Sequence, residues 1–412
     1  MNLAKRMAHL GTETAFEVLA RAKALETEGR SIINLGIGQP DFQTPENIVE
    51  AARKALTDGY HGYTPANGIQ PLREAVAADI AKYRGSEVDP ANVVVVPGGK
   101  VTMFFAALMF GEEGAEILYP NPGFPIYQSA IEFSGATAVP IPLYEATSFS
   151  FSAEEVLSKI TPRTRLIMLN SPANPTGGVT PKAELDRLVE GLEAHPDVAI
   201  MSDEIYSRLL YDGQEHISLL NYPSIRDRLI LLDGWSKTYA MTGWRIGYGV
   251  WPGKLAEQAT RLAVNSNSCV NAPTQIAAIE ALTGPQESVE TMRLAFDERR
   301  KVILRELNQI EGFRCVEPQG AFYAMPNIEG TGISARELQD GLLQEAGLAT
   351  IAGTSFGQYG EGYLRFSYAA STEEILEAMT RIREFLANRA QLELDNKAYP
   401  PGALKNEHRD PP

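Results

Sequence analysis

The stretch RLILLDGWSKTYAMTGWR, residues 228–245, joins a short apolar run to a single lysine, Lys237. The run RLILL (228–232) has the length and composition of a buried strand, and the polar loop DGWSK follows it directly. Ser236 precedes the lysine and Arg245 follows it, so an alcohol and a permanent cation flank it. Because arginine suits bidentate binding of phosphate, this pattern indicates an anion site around Lys237.

Four further apolar runs have the same arrangement, since each leads into a polar or Gly/Pro-rich loop. They are NVVVV (92–96), AEILY (115–119), TRLIML (164–169) and DVAIMS (197–202). Because helical patterns separate these candidate strands, we predict the α/β class, with βαβ units and a mostly parallel sheet flanked by helices. Ligands of such sheets bind at the carboxyl ends of the strands, where the unusual polar residues of this chain also fall.

Domain organisation follows from the length and from a change of pattern near residue 290. A chain of 412 residues is long for one hydrophobic core. Beyond residue 290, long amphipathic helices and short strand patterns are typical of a smaller α+β domain. We predict an N-terminal arm with part of the small domain (1–45), a large domain (46–290), a small domain (291–390) and a tail (391–412). The tail is polar and proline-rich, which favours disorder; alternatively, it lies along a partner subunit.

Composition argues against several classes of function. A formal net charge of −15 disfavours nucleic-acid binding. The two cysteines, Cys269 and Cys315, form neither a disulfide framework nor a metal motif, which indicates reduced thiols in the cytoplasm and no metal. Residues 1–29 have the pattern of an amphipathic helix rather than a signal peptide. No apolar run approaches about 18 residues, so we expect no membrane span.

A second candidate anion site lies at PGGK (97–100), between a predicted strand and a helical pattern. Glycine lets backbone N–H groups approach an anion, and a helix N-terminus favours negative charge. A phosphate site, a lysine and a parallel sheet together indicate pyridoxal phosphate, which needs a lysine for its Schiff base and a carboxylate beside its pyridine nitrogen. Asp203, in SDEIY, supplies that carboxylate; alternatively, it caps a helix.

Three more side chains follow predicted strands and fit the same cofactor. Tyr206 lies three residues after Asp203 and is placed to aim a hydroxyl at the same pocket. Asn174, in NSPANPTGG, either hydrogen-bonds the ring oxygen or forms a plain turn. Phe124, in PNPGFP, either lies on the ring face or belongs to the core.

Taken together, the motifs of this chain resemble those of fold-type I, class I aminotransferases of the bacterial aspartate aminotransferase type. The resemblance covers the chain from about residue 30 to residue 385. Its motifs are GQPDFQTP (38–45), NSPANPTGG (170–178), SDEIY (202–206) and SKTYAMTGWRIGY (236–248). It implies a homodimeric, pyridoxal phosphate-dependent transaminase that moves an amino group from an α-amino acid to a 2-oxo acid with ping-pong kinetics.

The resemblance also implies a role for each site residue. Lys237 forms the covalent bond to the cofactor and serves as general base. Around the ring, Asp203 pairs with the pyridine nitrogen, Tyr206 and Asn174 bind the phenolic oxygen, and Phe124 stacks on the ring face. The phosphate is held by Ser236, Arg245, the backbone of Gly99 and Lys100, and Tyr63 of the partner subunit. Around the substrate, the α-carboxylate binds Arg365, Asn174 and the backbone of Gly38; alternatively, Arg365 belongs to a structural ion pair. The Asn121–Pro122 and Asn174–Pro175 bonds are cis in relatives, so we expect them to be cis here.

The amino donor is left open by the sequence. Lys100 favours acidic donors, because a lysine at this position reaches the distal carboxylate in aspartate-using relatives; alternatively, it faces solvent or the phosphate. Ala15 and Phe16 stand where some aspartate-specific relatives have small hydroxyl residues, which argues against strict aspartate specificity. Alanine, aromatic and other neutral donors stay open, with 2-oxoglutarate or pyruvate as acceptor.

Other functions share parts of this pattern. A carbon–sulfur lyase that uses pyridoxal phosphate on the same fold is the main alternative, since fold does not fix function. A pyridoxal-binding transcription regulator needs a DNA-binding module, and we expect none in the short segment before GQPDF. A nucleotide-binding dehydrogenase needs G-x-G-x-x-G after its first strand, and this chain lacks it there.

Overall fold

The computed structural model describes the backbone of residues 1–398 and the side chains of residues 1–391. Its helices are α1 (Thr14–Thr27), α2 (Glu46–Thr57), α3 (Gln70–Arg84), α4 (Lys100–Phe110), α5 (Ile126–Ser134), α6 (Ala153–Ser158), α7 (Lys182–Leu192), α8 (Gly253–Ser266), α9 (Ala272–Thr283), α10 (Glu287–Leu307), α11 (Ala335–Ala346) and α12 (Thr372–Ala398). Its strands are β1 (Ile33–Asn34), β2 (Val93–Val96), β3 (Glu116–Asn121), β4 (Thr137–Pro142), β5 (Thr164–Asn170), β6 (Ala199–Asp203), β7 (Leu229–Gly234), β8 (Gly247–Val250), β9 (Tyr323–Ala324), β10 (Leu348–Ala349), β11 (Ile351–Ala352) and β12 (Leu364–Ser367).

The largest sheet has seven strands in the order β2-β8-β7-β6-β5-β3-β4. The five strands from β7 to β4 are parallel, and β8 is antiparallel to both of its neighbours. Val93 and Val95 of β2 pack into one buried cluster, whereas Val94 and Val96 pack into another. Burial on both faces explains why these strands are continuous apolar runs. The predicted sheet is confirmed, and all five predicted runs are strands in it.

Two strands of this sheet escaped sequence-based prediction, and each has a physical reason. β4 (TAVPIP) contains Pro140 and Pro142, and proline is tolerated in a sheet mainly at an edge, where β4 lies. β8 (GYGV) is rich in glycine, which disfavours strands unless the surroundings hold it. In this fold β8 is clamped between β2 and β7.

The strand register brings the polar strand ends to one edge. Asn170 ends β5 and lies opposite Asp203, which ends β6, and Asp203 lies opposite Leu232 of β7. The loop that carries Lys237 leaves β7 at this same edge. The sheet therefore delivers the predicted lysine and the predicted carboxylate to the same place, as the rule for parallel strands requires.

The C-terminal elements enclose a second core. β11, β12 and β9 form an antiparallel sheet, β1 pairs with β10, and α10 packs against α12. Residues of β1 and of these C-terminal elements share one buried cluster. The N-terminal arm thus joins the C-terminal elements, as the predicted organisation requires, while the domain boundaries themselves stay a prediction.

The predicted tail differs from the structure in its first part. Helix α12 continues to Ala398, so residues 391–398 are helical rather than disordered. The segment QLELDNKA consists largely of good helix formers, and the prediction gave more weight to the prolines that follow. Residues 399–412 lie outside the described part of the chain. Within residues 1–398, we find no helix both long and apolar enough to cross a membrane.

Candidate active site

A cavity of about 520 Å³ opens at the carboxyl edge of the large sheet. Loops after β3, β5, β6 and β7, the N-terminus of α4, the N-terminal arm and β12 all contribute to its wall. The predicted residues that line it are Gly38, Gly99, Lys100, Phe124, Asn174, Asp203, Tyr206, Ser236, Lys237, Arg245 and Arg365. Tyr63 does not line it. Residues far apart in sequence thus meet in one place.

Lys237 presents its amine to this cavity. Its Nζ donates a hydrogen bond to the Gly38 carbonyl at 2.6 Å. The pKa of Lys237 is lowered to about 8, mainly by burial and also by the positive charges of Arg365, Arg245 and Lys100, against the opposing charge of Glu13. An amine with this pKa is far more readily deprotonated near neutral pH than an ordinary lysine. Lys237 is therefore suited both to covalent bonding and to proton transfer.

Asp203 is a buried carboxylate at the end of β6. It accepts hydrogen bonds from the Tyr127 hydroxyl at 2.6 Å and from the Ile205 backbone N–H at 3.2 Å. No helix follows it, which excludes the helix-cap alternative. Burial raises the pKa of Asp203 to about 6, with smaller contributions from the nearby acids Asp233 and Glu204. A buried carboxylate without a cationic partner is suited to a cationic group of a ligand, such as a protonated ring nitrogen.

The elevated pKa predicts a pH-dependent effect of Asp203→Asn on stability. The folded-state pKa of about 6 exceeds the ordinary 3.8, so stability falls as the pH rises through this interval and Asp203 ionises in the fold. In protein stripped of cofactor, we expect the variant to gain up to about 3 kcal/mol over wild type above pH 6 and to lose this gain below pH 4. Urea unfolding from pH 4 to pH 8 measures it. The exposed Asp197→Asn is the matched control, and a difference independent of pH would contradict the prediction.

Two tyrosines stand together beside the amine. The Tyr206 and Tyr323 hydroxyls lie 2.7 Å apart, and both residues are buried. The Lys237 Nζ lies 6.0 Å from the centre of the Tyr206 ring. A Cβ on Gly38 would collide with the Tyr323 hydroxyl, so glycine is needed there for the chain to pass. The pair offers hydroxyl donors to an oxygen of a bound ligand.

An anion cradle lies between the β2–α4 turn and the loop after β7. Gly98 has φ +94° and Gly99 immediately precedes α4, so backbone N–H groups of the turn and the helix N-terminus are available to an anion. The Arg245 guanidinium lies against Gly98, where a Cβ would overlap it. Ser236 lines the same cavity. These donors match the chemistry of a phosphate group.

The cradle predicts that Gly98→Ala weakens phosphate binding. The added Cβ displaces the Arg245 guanidinium, and a lost charge-assisted hydrogen bond of about 1.5–3 kcal/mol raises the Kd for pyridoxal phosphate by about 10- to 100-fold. Gly59→Ala is the matched control, because Gly59 has φ +89° and nothing within 4 Å of the added Cβ. Cofactor titration of both variants measures the effect. A Kd for Gly98→Ala that is no higher than the Kd for Gly59→Ala would contradict the prediction.

Arg365 is a buried arginine of β12 with unused donors. Its Nη1 donates to Asn174 Oδ1 at 3.1 Å and its Nη2 donates to the Gly36 carbonyl, whereas its buried Nε has no partner. Within residues 1–391, no carboxylate lies within ion-pair distance of it, so the structural ion pair left open by the sequence is absent. The rings of Tyr323 and Phe356 each lie 4.7 Å from its guanidinium. A held, unpaired guanidinium is suited to a carboxylate ligand.

Lys100 and Phe124 each make a contact that the sequence did not settle. Lys100 forms an ion pair with Glu13 of the arm, so it does not present a free ammonium to the cavity. The Phe124 ring lines the cavity and also packs on a buried cluster of the large sheet, while its stacking on the cofactor ring stays a prediction. The Lys100 Nζ lies 5.3 Å from the centre of the Phe124 ring.

Peptide geometry agrees with the expectation for both proline motifs. The Asn121–Pro122 and Asn174–Pro175 bonds are cis, and Ser171–Pro172 is cis as well. Four contacts went unnoticed in the sequence: the Tyr127 hydroxyl on Asp203, the Tyr323 hydroxyl on Tyr206, the Gly36 carbonyl under Arg365, and Glu13 on Lys100. Tyr127 and Tyr323 follow predicted motifs closely, in PNPGFPIY and GAFYAMPN, which is the signal that was available.

The residues fit pyridoxal phosphate. The cavity combines an amine of lowered pKa, a buried carboxylate, an anion cradle that a Cβ would fill, and a buried guanidinium nitrogen without a partner. These are the groups that an aldehyde, a pyridinium nitrogen, a phosphate and a substrate carboxylate require.

Comparisons with known proteins give the same result. The family described as aminotransferase class I and II matches residues 30–382. An aspartate aminotransferase of Geobacillus stearothermophilus is 38% identical over 95% of this chain and 100% of its own, and an aromatic-amino-acid aminotransferase of Thermococcus litoralis is 38% identical over 86% and 92%. The crystal structure of the aspartate aminotransferase of Rhizobium meliloti has a TM-score of 0.90 at 32% identity, covering 94% of this chain and 99% of its own. The chain therefore belongs to the class I and II aminotransferases, as a fold-type I enzyme that uses pyridoxal phosphate.

Proposed function

We propose that Lys237 binds the cofactor aldehyde and then carries the proton of a transamination between an α-amino acid and a 2-oxo acid such as 2-oxoglutarate or pyruvate. The observation that supports this most is the Lys237 amine itself, with a pKa lowered to about 8 and placed in the cavity beside Asp203 and the anion cradle. When bound, the cofactor withdraws electrons from the donor Cα, which makes its proton labile. Lys237, freed by the incoming amine, would take that proton from Cα and deliver it to the former aldehyde carbon of the cofactor.

The other residues bind and orient. Asp203 keeps a positive charge on the ring nitrogen, while Tyr127 and the Ile205 N–H hold its carboxylate in place. Arg245, Ser236 and the turn at Gly99 hold the phosphate. Tyr206 and Asn174 bind the phenolic oxygen, and Phe124 covers the ring. Arg365, held by Asn174 and the Gly36 carbonyl, grips the substrate α-carboxylate and so fixes the Cα near the Lys237 amine.

One assay separates transamination from the lyase alternative. With an amino donor and no oxo-acid acceptor, a transaminase releases about one oxo acid per site and then stops, because its cofactor is left in the amine form. A lyase continues to release oxo acid together with ammonia. We expect one equivalent, with continued turnover only after 2-oxoglutarate or pyruvate is added. Continuous ammonia release without an acceptor would overturn the proposal.

A homodimer with shared sites accounts for Tyr63. Its side chain is 93% exposed and lies outside the cavity of its own subunit, an unusual position for a large aromatic residue. In the dimer, Tyr63 of the partner subunit donates its hydroxyl to the cofactor phosphate. The protein acts in the cytoplasm, in keeping with two cysteines that are both free.

Mixing two inactive variants tests the shared site. Tyr63→Phe should raise the Kd for the cofactor by about 10- to 100-fold, the value of one hydrogen bond to a charged group. When Tyr63→Phe and Lys237→Ala chains are exchanged at limiting cofactor, activity should recover to about a quarter of wild type, because half of the dimers are hybrids with one intact site. The exchange of Lys237→Ala with Arg365→Met chains is the control, since both residues act in the same subunit's site. No recovery with Tyr63→Phe would contradict the shared site.

A further inference from the structure

The charged side chains that line the cavity set the kind of substrate it accepts. They are Glu13, Lys100, Asp203, Lys237, Arg245 and Arg365. If the proposed function is right, Lys237, Asp203 and Arg245 serve the cofactor. Arg365 serves the α-carboxylate that every amino acid carries. Lys100 and Glu13 are left over, and they are paired with each other.

The Glu13 side chain contacts a different helix from its own. It stands at the N-cap of α1, yet its carboxylate makes no capping hydrogen bond and instead reaches Lys100 at the start of α4. The Glu13 side chain is only 15% exposed, against 42% for Lys100. Glu13 is therefore the more buried member of the ion pair, and both side chains line the cavity.

The arm is fixed on both sides of Glu13. The Gly11 N–H donates to Ser129 Oγ at 2.9 Å, which ties the arm to α5. Arg21 of α1 forms an ion pair with Asp340 of α11 at 2.6 Å. These anchors hold the arm against two different parts of the fold. Glu13 is thus part of the cavity wall and not a side chain that happens to meet Lys100 in solvent.

We infer that Glu13 is a specificity-determining residue that cancels the charge of Lys100 and directs the enzyme to amino donors with uncharged side chains. This inference rests on the proposed function, because it takes the reaction as given and assigns its donor class. A donor with two carboxylates needs two cations: Arg365 for the α-carboxylate and a second cation for the side-chain carboxylate. Here that carboxylate meets an already paired lysine.

Electrostatics disfavours the acidic donor even if Lys100 turns away from Glu13. The Glu13 carboxylate then stays in the cavity wall and repels the second carboxylate of the donor. Glu13 and Lys100 together therefore exert no net attraction on that carboxylate. Burial is the largest influence on the pKa values of Lys237 and Arg365 and lowers both. The Glu13 charge opposes it and raises both pKa values. Apolar side chains surround this end of the arm and the neighbouring wall: Ala15, Phe16, Ile37, Ile351 and Phe356. They provide contacts for an apolar donor side chain.

Glu13→Gln tests the inference, because it removes the charge and keeps the shape. The measurement is the ratio of kcat/KM for aspartate to kcat/KM for the best neutral donor of a panel, which does not depend on the fraction of folded enzyme. We expect Glu13→Gln to raise this ratio about tenfold or more. The double variant Glu13→Gln/Lys100→Gln is the matched control, and it should return the ratio towards wild type, because the freed cation is gone.

Binding of non-reacting acids gives a second readout that needs no turnover. Calorimetry on the holoenzyme compares succinate with butyrate, which lacks the second carboxylate. Glu13→Gln should strengthen succinate binding relative to butyrate by a similar factor. An unchanged preference in both measurements, or a wild-type enzyme that favours aspartate over every neutral donor, would overturn the inference. If no donor releases an oxo acid, the proposed function fails instead, and the succinate comparison still decides the role of Glu13.

Discussion

Lys237→Ala is expected to lower kcat by at least about 10²–10⁴-fold, the range for loss of a general acid–base group. The structure contains one amine at the junction of the Asp203 carboxylate and the anion cradle, within the part of the chain that it describes. Burial lowers its pKa to about 8, so it exchanges protons near neutral pH, and alanine has no group that can replace it. Stopped-flow measurement of the half-reaction with an amino donor isolates this proton step from product release.

The other lysine of the cavity provides the control. Lys100 lines the same cavity but pairs with Glu13, so Lys100→Ala should leave the proton step far less affected than Lys237→Ala. Added alkylamines should restore part of the lost rate in Lys237→Ala, because a small amine enters the space left by the side chain and carries the proton. Comparable losses in both variants, or normal turnover by Lys237→Ala, would remove Lys237 from its assigned role.

Arg365→Met is expected to reduce kcat/KM for all amino donors while leaving stability nearly unchanged. Loss of one partner of a buried, hydrogen-bonded charge pair costs about 2–5 kcal/mol, which is ~30- to ~4000-fold in kcat/KM. The fold itself gains little from this guanidinium, since burial lowers the pKa of Arg365 and no carboxylate within residues 1–391 pairs with it. Methionine fills a similar apolar volume between the Tyr323 and Phe356 rings without a desolvated charge.

Arg84 provides the contrasting buried arginine. It bonds Glu204 at 2.9 Å, and it also contacts the Asp233 carboxylate. Its removal leaves the buried Asp233 without a cationic partner, whereas Glu204 keeps its contact with His216 at 2.7 Å. We expect Arg84→Met to lower the free energy of unfolding by about 3–5 kcal/mol, whereas Arg365→Met should change it by less than about 1 kcal/mol. Urea unfolding of the two variants measures this. A large loss of stability in Arg365→Met, with kcat/KM per folded enzyme unchanged, would make Arg365 a structural residue.

The sequence predicted those parts of the site that depend on local pattern. Lys237, Asp203 and Asn174 follow buried strands of one parallel sheet, so the strand rule alone brings their backbones to the same edge. The glycines at 98 and 99 directly precede a helical pattern. They indicated an anion cradle because backbone N–H groups at a helix N-terminus bind anions. The resemblance then supplied Arg365 and Tyr63, which no local pattern distinguishes from surface or structural residues.

The remaining contacts depend on how distant segments pack. Tyr127 of α5 bonds Asp203 at the end of β6, and Tyr323 of β9, in the smaller sheet, bonds Tyr206 in the loop after β6. Glu13 meets Lys100 although 87 positions separate the two residues in the chain. The sequence around Glu13, GTETAF, has the pattern of an ordinary helix start. It therefore does not predict that the Glu13 carboxylate makes no bond to its own helix.

The central claim is that Lys237 carries the cofactor, and covalent trapping tests it most directly. The holoenzyme is reduced with borohydride, digested, and mapped by mass spectrometry. We predict that the mass of the reduced cofactor appears on the peptide containing Lys237, and that it is absent when the same treatment is applied after Lys237→Ala. Labelling of Lys100 or another lysine in the wild-type enzyme, with Lys237 unmodified, would contradict the account.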